Sequence, residues 1–472
     1  MPRATVRIGE TDGQLAAALD AVRAELGLSD TFPPSVEAEA RSAVMSAAMP
    51  DAQLLDLPFL TIDPAGARDL DQAMQLERSG DGYRVRYAIA DVPAFVAPGG
   101  AVDAEARGRG QSMYPPDGRI PLHPTVIGED AASLLPDEVR GAFVWDFALD
   151  ARARVTSATV GRARIRSRRR YSYAQVQAEL DAGRASDELV LLREIGLARI
   201  VLERERGGAS LGSADQEITK AHGRYELVRR RPLPVEGWNA QLSLMTGMAA
   251  ARIMLDGRIG ILRTMPPPGD SSIERFRRQT TALGRPWPQG VAYGEYLRML
   301  DPDDPPQLAI LHAAASLFRG AGYTAFDGSV PDGTIQAAIA APYAHTTAPL
   351  RRLVDRFSLL VCEALCSGDS VPEWLRAALP TLPPIMAASD AVASRLERGA
   401  ISALEAAVLS GRVGEEFEGT VISVRADGGV LQLTDPAVTA RCEGSLVAGV
   451  TVRATLITAD IASGTVLFRA TG

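Results

Sequence analysis

The sequence predicts an α+β multidomain protein with a small helical N-terminal domain (residues 1–50), a central mixed α/β domain (51–410) and a C-terminal β-barrel (411–472). Three observations support this division. Apolar residues recur at helical spacing near the N-terminus, strand-like and helical stretches mix in the middle, and about five short strand-like runs end the chain. The length of 472 residues agrees, since domains contain roughly 150 residues each.

The N-terminal domain is predicted from two amphipathic stretches. In "DGQLAAALDAVRAELGL" (12–28), apolar side chains recur at helical spacing. "PSVEAEARSAVMSAA" (34–48) opens with Pro-Ser, which suits the start of a second helix. Two such helices are compatible with a helix-turn-helix unit and with many other arrangements.

The central and C-terminal parts differ in their periodicity. "YRVRYAIADVPAFV" (83–96) reads as strand, turn and strand, whereas "SDELVLLREIGLARIVLERER" (186–206) has a serine cap and helical spacing. "GEEFEGTVISVRADGGVLQL" (414–433) and "GVTVRATLITADIASGTVLFRA" (449–470) each contain two strand-like runs. We expect the last 60 or so residues to form an OB-type barrel, which is a common nucleic-acid platform; a purely structural β-cap is the alternative.

Composition predicts a reduced protein without membrane attachment. Two of the three cysteines, Cys362 and Cys366, lie four residues apart on a predicted helix, which is poor disulfide geometry, and the third is Cys442. The histidines are scattered, which argues against a structural zinc site. No run of about 20 apolar residues and no signal-peptide core are present. We therefore expect a cytoplasmic protein.

Basic residues are unevenly placed in a chain whose net charge is −8. "GRARIRSRRRYSY" (161–173) carries six arginines followed by two tyrosines. Guanidinium groups beside aromatic rings suit phosphate contact and base stacking. A solvated surface is the alternative, because arginine supplies nearly all the positive charge of this chain.

The segment "TIDPAGARDLDQAM" (61–74) crowds three carboxylates together: Asp63, Asp69 and Asp71 precede Gln72. Asp69 and Asp71 alternate, so they project to the same side of an extended chain. Converging carboxylates repel one another unless a cation neutralises them, and hard oxygen donors suit Mg²⁺ or Mn²⁺. Such ions activate water and stabilise an in-line displacement at phosphorus. The D-x-D pattern alone also occurs in glycosyltransferases and on plain surfaces, but its spacing excludes the calcium-loop motif.

A second block, "YAHTTAPLRRLVDRFSLLVCEAL" (343–365), has apolar residues at helical spacing. Pro349 suits a first helical turn, which would place Arg351 and Arg352 in that turn as well. Cations oppose the helix dipole there, so they are best explained by an incoming phosphate. A pair of solvated surface arginines is the alternative.

These residues carry a resemblance to a known family. The chain resembles the RNase II / RNase R (RNB) family of exoribonucleases over roughly residues 55–400, in five motifs that follow the family order. They are "TIDPAGARDLDQAM" (with one spacer residue fewer between its first two acids), "YAIADVPAFVAPGGAVDAEARGRGQSMYPPDGRIPLHP", "SLLP" with Arg140, "YAHTTAPLRR" and "RLERGA". The C-terminal barrel is similar to the S1-type RNA-binding domain of these enzymes.

The resemblance implies Mg²⁺-dependent hydrolysis of single-stranded RNA from its 3′ end, releasing nucleoside 5′-monophosphates, with Mn²⁺ as the alternative ion. Asp63, Asp69, Asp71 and Gln72 would form the metal site. Asp69, Asp71 and Arg351 would be catalytic, with Arg351 holding the phosphate bidentately. The implied RNA-binding residues are Tyr114, which would stack on a nucleotide, Arg351, Arg352, Gln241 and Glu397.

Three departures from the family pattern bear on activity. Gln72 stands where the family has a fourth aspartate, which predicts weaker binding of one metal ion. Ala240 and Gln241 stand where a Glu-Glu pair normally lies near the RNA 3′ end. The first 50 residues cannot contain the two cold-shock barrels that usually open these enzymes.

The sequence therefore supports two functions of different class. The first is an active 3′→5′ exoribonuclease, which the acids and Arg351 favour. The second is an RNA-binding regulator on a degenerate nuclease scaffold, which Gln72 and the missing Glu-Glu pair favour. A DNA-directed or other phosphohydrolase is a third, weaker reading. We expect a monomer without an obligate protein partner.

Overall fold

The computed structural model describes residues 5–7, 12–47, 50, 54–209, 215–221, 224–302, 304–315, 317, 319–425, 427–433, 436 and 438–471. Its helices are α1 (Asp12–Glu25), α2 (Pro34–Ser46), α3 (Ala101–Arg109), α4 (Tyr173–Asp181), α5 (Asp187–Arg206), α6 (Pro234–Gly257), α7 (Asp270–Ala282), α8 (Tyr293–Arg298), α9 (Pro305–Ala315), α10 (Leu353–Ser367), α11 (Glu373–Ala378) and α12 (Leu382–Leu409). Among these residues, no helix has the length and apolar character needed to cross a membrane.

The strands of the first half are β1 (Thr5–Arg7), β2 (Leu54–Asp63), β3 (Gln72–Ser79), β4 (Gly82–Ala90), β5 (Val139–Leu149), β6 (Val155–Ser172), β7 (Asp215–Ala221) and β8 (Arg224–Arg230). Those of the second half are β9 (Ile259–Thr264), β10 (Gly322–Asp327), β11 (Ile335–Gln336), β12 (Ala341–Pro342), β13 (Glu416–Arg425), β14 (Gly428–Leu433), β15 (Thr439–Glu443), β16 (Thr451–Asp460) and β17 (Thr465–Ala470).

The central domain is built on a closed barrel of strands β2 to β6, in which β2 and β6 close the ring in parallel. Strand β4 shows why these residues form a sheet: Tyr83, Val85, Tyr87 and Ile89 alternate into one buried cluster. Helices α5, α6 and α10 contribute to that same cluster, while α2 and α3 cover a second one. After β4 the predicted turn is present as a short 3₁₀ turn (Val92–Ala94), but the predicted second strand is wrong, because residues 95 and 96 are not in a strand.

The C-terminal residues form a second closed barrel in the order β13-β14-β15-β17-β16, which confirms the predicted five-stranded OB-type fold. The turn into β14 requires glycine at position 428, whose φ is 136°. A Cβ there would lie 2.2 Å from the carbonyl oxygen of Cys442. Helix α12 leads into this barrel and packs on β16 and β17.

The N-terminal helices do not form the proposed helix-turn-helix unit, because each packs on a different element. Leu15 and Leu19 of α1 join a cluster with α12, whereas Val36 and Ala40 of α2 belong to the cluster beside α3. A helix-turn-helix needs its two helices to pack on each other. Residues 5–7 are a strand rather than helical, and they pair with β8. The predicted domain boundaries stay predictions.

Helix α10 begins later than its sequence suggests. Its first residue is Leu353 and its N-cap is Arg352, so Pro349 and Arg351 precede the helix. The expectation that both arginines lie in the first turn is therefore wrong. The apolar stripe is confirmed: Leu353, Val354 and Phe357 are buried.

Candidate active site

The predicted acidic residues line one cavity of about 600 Å³. Its walls are the acid segment (residues 63–72), the tyrosine loop (residues 114–119), Glu129, Tyr173 at the start of α4, and Arg351 of the arginine loop (residues 344–352). The cavity lies where β2 ends and β3 begins, next to the N-terminus of α10. Segments nearly 300 residues apart in the chain thus meet at one end of the central barrel.

The acid segment is held in place by the SLLP motif. The backbone N–H of Leu70 donates to Ser133 Oγ at 3.0 Å, and this hydroxyl donates to the carbonyl oxygen of Arg68 at 2.6 Å. Leu134 N–H donates to the carbonyl of Leu70, whose side chain is fully buried. These bonds fix the backbone on both sides of Asp69.

Asp71 is buried beneath the arginine loop. Its Oδ1 accepts a hydrogen bond from the Leu350 backbone N–H at 2.8 Å, and its Oδ2 lies 3.4 Å from Nε of Arg351. Burial raises the pKa of this carboxyl to about 8, although the Arg351 charge and the Leu350 hydrogen bond act in the opposite direction. The ionised form of Asp71 therefore requires more positive charge than these neighbours supply.

Asp63 ends strand β2 and is similarly short of compensating charge. Within the described residues, its Oδ2 is buried without a hydrogen-bond partner. Burial raises the pKa of Asp63 to about 6; Arg351 and Arg170 lower it, while Asp69 raises it further. An unpartnered buried carboxylate oxygen is costly, so this position calls for a cation or an ordered water.

Asp69 is contacted from the opposite wall by both ends of the tyrosine loop. Tyr114 donates its hydroxyl to Asp69 Oδ2 at 3.0 Å, and Nη1 of Arg119 lies 3.1 Å from Oδ1. Arg119 is also paired with Glu129. The sequence analysis did not identify Arg119 or Glu129 as site residues, although Arg119 directly precedes the IPLHP part of the second motif.

Gln72 faces the arginine loop as well as the cavity. Its side-chain Nε2 donates a hydrogen bond to the backbone carbonyl of Thr347. A carboxylate could not make this contact, because it has no hydrogen to donate. The predicted role of Gln72 as a metal ligand stays a prediction.

The donor set of this cavity fits a hard divalent cation. Asp63, Asp69 and Asp71 offer carboxylate oxygens, and the orphaned oxygen of Asp63 marks missing positive charge. In the described part of the chain, however, no three His, Cys, Asp or Glu side chains stand close enough together to share an ion. Arg119 and Arg351 now provide the nearest positive charge to Asp69 and Asp71.

A second cavity of about 500 Å³ adjoins the first, and Tyr114 lines both. Its other wall is α12, where Glu397 is exposed among Ala393, Leu396 and Ala400. Tyr114 is 54% exposed as a residue, and its ring lines both cavities, so it is accessible for stacking. The structure thus brings Tyr114 and Glu397 together beside the acids.

Comparison with known proteins agrees with this arrangement. Residues 52–365 match the RNB domain, and residues 415–471 match the RNase II-type exonuclease C-terminal S1 domain. The chain belongs to the RNB family. This confirms the resemblance inferred from the motifs and makes the chain a homologue of RNB-family ribonucleases.

Two relatives illustrate the extent of the similarity. The chain is 29% identical over 323 residues to the exosome complex exonuclease RRP44 homolog A of Arabidopsis thaliana, covering 64% of this chain and 34% of that protein. It is 30% identical over 320 residues to ribonuclease R of Escherichia coli (strain K12), covering 64% of this chain and 38% of that one. The matched region thus spans little more than a third of either relative.

Solved structures share the RNB fold at lower sequence identity. The apo form of Mycoplasma genitalium RNase R has a TM-score of 0.87 at 18% identity, covering 97% of this chain and 78% of that one. Yeast Ssd1, described as a pseudonuclease, has a TM-score of 0.72 at 17% identity, covering 93% and 57%. The fold therefore occurs in a ribonuclease and in a pseudonuclease.

Arg352 is not among the residues that line the cavity with the acid segment, which corrects its assignment to RNA binding. Its Nε and Nη2 donate to the two carboxylate oxygens of Asp355 at 3.0 and 2.9 Å. Asp355 is fully buried and also accepts from the Ala348 backbone N–H at 2.7 Å. Arg352 therefore stabilises the arginine loop from behind, while Arg351, with 47% of its side chain exposed, faces the cavity.

Gln241 is also misassigned. Its side chain is buried between α6 and α5, where Nε2 donates to Glu203 Oε2 at 2.5 Å. The helical face that carries Gln241 points to α5, so the side chain has no access to the cavity. Two other residues of α6 form hydrogen bonds to tyrosines of the central domain. Asn239 donates to the hydroxyl of Tyr173, which lines the cavity, at 3.2 Å, and Ser243 hydrogen-bonds to Tyr87 at 2.9 Å.

Several arginines of β6 contact other side chains of the protein. Nε of Arg162 lies 3.2 Å from Asp91 Oδ2, Arg168 pairs with Asp56, and Arg169 donates to the Tyr171 hydroxyl at 3.0 Å. Arg170 is the member of this group whose charge acts on the cavity, through Asp63. These contacts favour a structural role for much of the cluster.

Proposed function

We propose that this chain is a metal-dependent 3′→5′ exoribonuclease that hydrolyses single-stranded RNA to nucleoside 5′-monophosphates, in RNA decay or processing. The observation that carries the proposal is the meeting of Asp71 and Arg351, 3.4 Å apart, in a cavity that Asp63 and Asp69 also line. Carboxylates can hold metal ions that activate water, and an exposed guanidinium can stabilise the charge on a reacting phosphate. Family membership and the S1-type barrel support an RNA substrate.

A divalent cation, Mg²⁺ or Mn²⁺, would be held by Asp63, Asp69 and Asp71, with the Gln72 side-chain oxygen as a further donor. When bound, it supplies charge neutralisation and a more acidic water. Cation binding would favour the ionised forms of Asp63 and Asp71, whose pKa values burial raises.

The other cavity residues would orient the RNA. Arg351 would exchange its contact with Asp71 for two parallel hydrogen bonds to a phosphate and would stabilise the negative charge of the transition state. Tyr114 would stack on a base between the two cavities, and Glu397 would face the same nucleotide from α12. A solved RNase R of the same fold, with a TM-score of 0.85, is described in complex with ribose-methylated single-stranded RNA.

A second candidate is an RNA-binding regulator on the same scaffold. Gln72 favours it, because the amide adds no charge to the acid segment and donates to Thr347 instead. The shared fold of the pseudonuclease Ssd1 makes this alternative concrete.

Hydrolysis of 5′-labelled single-stranded RNA under titrated Mg²⁺ and Mn²⁺ separates the two candidates. An oligonucleotide of about 30 nucleotides exceeds the roughly 4–16-nucleotide reach of one OB barrel. We expect a shortening ladder with released monophosphates, lost in Asp71→Asn and kept in Asp56→Asn. Asp56 is the control because it lies on β2, the strand that leads into the acid segment, and its exposed side chain is paired to Arg168.

Tight RNA binding without cleavage in either metal would instead support the regulator. A DNA strand of the same sequence tests the DNA-directed alternative, which predicts equal or faster hydrolysis of DNA.

A further inference from the structure

The tyrosine loop is a short excursion whose two ends both reach the acid segment. The backbones of Met113 and Ile120 hydrogen-bond to each other at 2.9 and 2.8 Å, which closes the loop at its base. Tyr114 and Arg119, the first and last loop residues, contact the two carboxylate oxygens of Asp69. Any shift of this loop therefore moves two cavity side chains at once.

The middle of the loop is attached to helix α1. Nη1 of Arg23 lies 2.6 Å from Oδ1 of Asp117, and Arg23 also pairs with Asp20 of its own helix. The side chain of Asp117 is only 10% exposed, so this ion pair is partly shielded from water. Val22 of α1 and Leu26, which directly follows this helix, pack on the same apolar cluster as Met113 and Ile120.

Helix α1 is also fixed to the opposite wall of the second cavity. It lies so close to α12 that a Cβ added at Gly399 would be 3.0 Å from Val22 Cγ1. Leu15 and Leu19 extend this contact along α12. Helix α12 carries Glu397, which faces Tyr114 across the cavity.

We propose that α1 sets the width of the cavity between Tyr114 and Glu397, and that Arg23 is a positioning residue that holds the tyrosine loop through Asp117. The predicted effect on RNA binding rests on the proposed function, in which the Tyr114 ring stacks on a base. A tyrosine loop that is fixed in position keeps this ring in place for stacking. Arg23 acts on RNA binding without touching RNA. The ion pair therefore gives a helix outside the acid site an effect on affinity for single-stranded RNA.

Hydrogen exchange of the loop amides tests the positioning without RNA. We expect Arg23→Ala and Asp117→Ala to reduce the protection of residues 112–120, and the charge exchange Arg23→Asp with Asp117→Arg to restore it. The matched control is Arg395→Ala, which breaks the exposed ion pair between Arg395 of α12 and Glu25 of α1 and does not involve the tyrosine loop. Unchanged protection in Arg23→Ala, or an equal loss in Arg395→Ala, would overturn the proposal whatever the enzymatic activity.

Equilibrium binding of single-stranded RNA, measured in the Asp71→Asn background to prevent cleavage, tests the consequence. We expect Arg23→Ala to weaken binding about tenfold, within the range of one base–aromatic stack, and Arg395→Ala to leave it unchanged. In a Tyr114→Ala background the Arg23→Ala effect should vanish, since Arg23 acts through that ring. Additive effects of the two substitutions would contradict this route. If the unsubstituted chain neither binds nor cleaves RNA, the proposed function fails, while hydrogen exchange still decides whether α1 holds the loop.

Discussion

The side-chain amide of Gln72 donates a hydrogen bond to the backbone carbonyl of Thr347, 275 residues further along the chain. The bond joins the start of β3 to the arginine loop, four residues before Arg351. Together with the bond from Leu350 N–H to Asp71, it fastens the two halves of the cavity to each other. The residue that departs from the family pattern thus has a definite structural contact.

Gln72→Asp tests how much the missing charge matters. A fourth carboxylate should bind the cation more tightly, so we expect the Mg²⁺ concentration for half-maximal hydrolysis to fall several-fold. The matched control is Gln75→Asp, because Gln75 lies on the same strand but contacts Arg86 and Glu77 instead of the cavity. An unchanged metal dependence in Gln72→Asp would refute the idea that the amide weakens metal binding.

Asp71→Asn should separate chemistry from stability. The proposed activity should fall on the order of 100-fold or more, because a metal donor and the partner of Arg351 are both altered. The metal-free fold should become more stable at neutral and higher pH. Since burial raises the pKa of Asp71 from 3.8 to about 8, its contribution to stability is fully present below about pH 4 and is lost as the pH rises through 8.

The measurement is chemical unfolding of both proteins in a chelator between pH 4 and 9. We expect the two unfolding free energies to diverge as the pH rises, with Asp71→Asn the more stable. A variant that is less stable than the wild type at pH 8 would show that Asp71 is satisfied by its protein neighbours alone.

Much of this architecture could be predicted from sequence, because its elements have strong local patterns. The alternation in β4 and the apolar stripe from Leu353 to Phe357 each depend on neighbouring residues. The sequence predicts that the acids meet, because Asp69 and Asp71 alternate and Asp63 can fold back through residues 64–66. The structure places all three on one cavity.

The errors concern which way a side chain points once helices pack. Arg351 and Arg352 are adjacent and chemically identical, and only the late start of α10 turns one to the cavity and the other to Asp355. Gln241 was placed by similarity of position, but its partner Glu203 lies on α5, which no local pattern connects to α6. Arg119 was missed because its contact with Asp69 spans 50 residues.

The two neighbouring arginines should respond to substitution in opposite ways. Arg351→Ala should cost less stability, because its side chain is 47% exposed and burial raises the pKa of its partner Asp71 to about 8, so that this carboxyl can take up a proton. Hydrolysis should fall by about 100- to 1,000-fold. Arg352→Ala should leave the buried carboxylate of Asp355 without its cation and lower the unfolding free energy by about 3–5 kcal/mol. Urea unfolding and initial hydrolysis rates of both variants check this. Similar stability losses in the two variants would contradict the assignment.

Glu405 joins the central domain to the C-terminal barrel. It lies on α12, and its Oε1 accepts a hydrogen bond from the backbone N–H of Thr439 in β15 at 2.9 Å. Burial raises the pKa of this carboxyl from 4.5 to about 7, although the Thr439 hydrogen bond lowers it. A protonated Glu405 carboxyl and a glutamine amide can both accept the hydrogen bond from Thr439. The ionised carboxylate can accept it too, but its burial costs free energy because a charged group loses its hydration.

Glu405→Gln should therefore remove a pH-dependent loss of stability. A raised pKa in the folded state means that the contribution of Glu405 is fully present below about pH 4.5 and is lost as the pH rises through 7. We expect the variant to be more stable than the wild type at pH 8 by up to about 3 kcal/mol, and equal to it near pH 4.5. Urea unfolding across this range measures the difference, with Glu397→Gln on the exposed face of α12 as the control. A constant offset between Glu405→Gln and the wild type would instead mean that the carboxyl does not titrate within this interface.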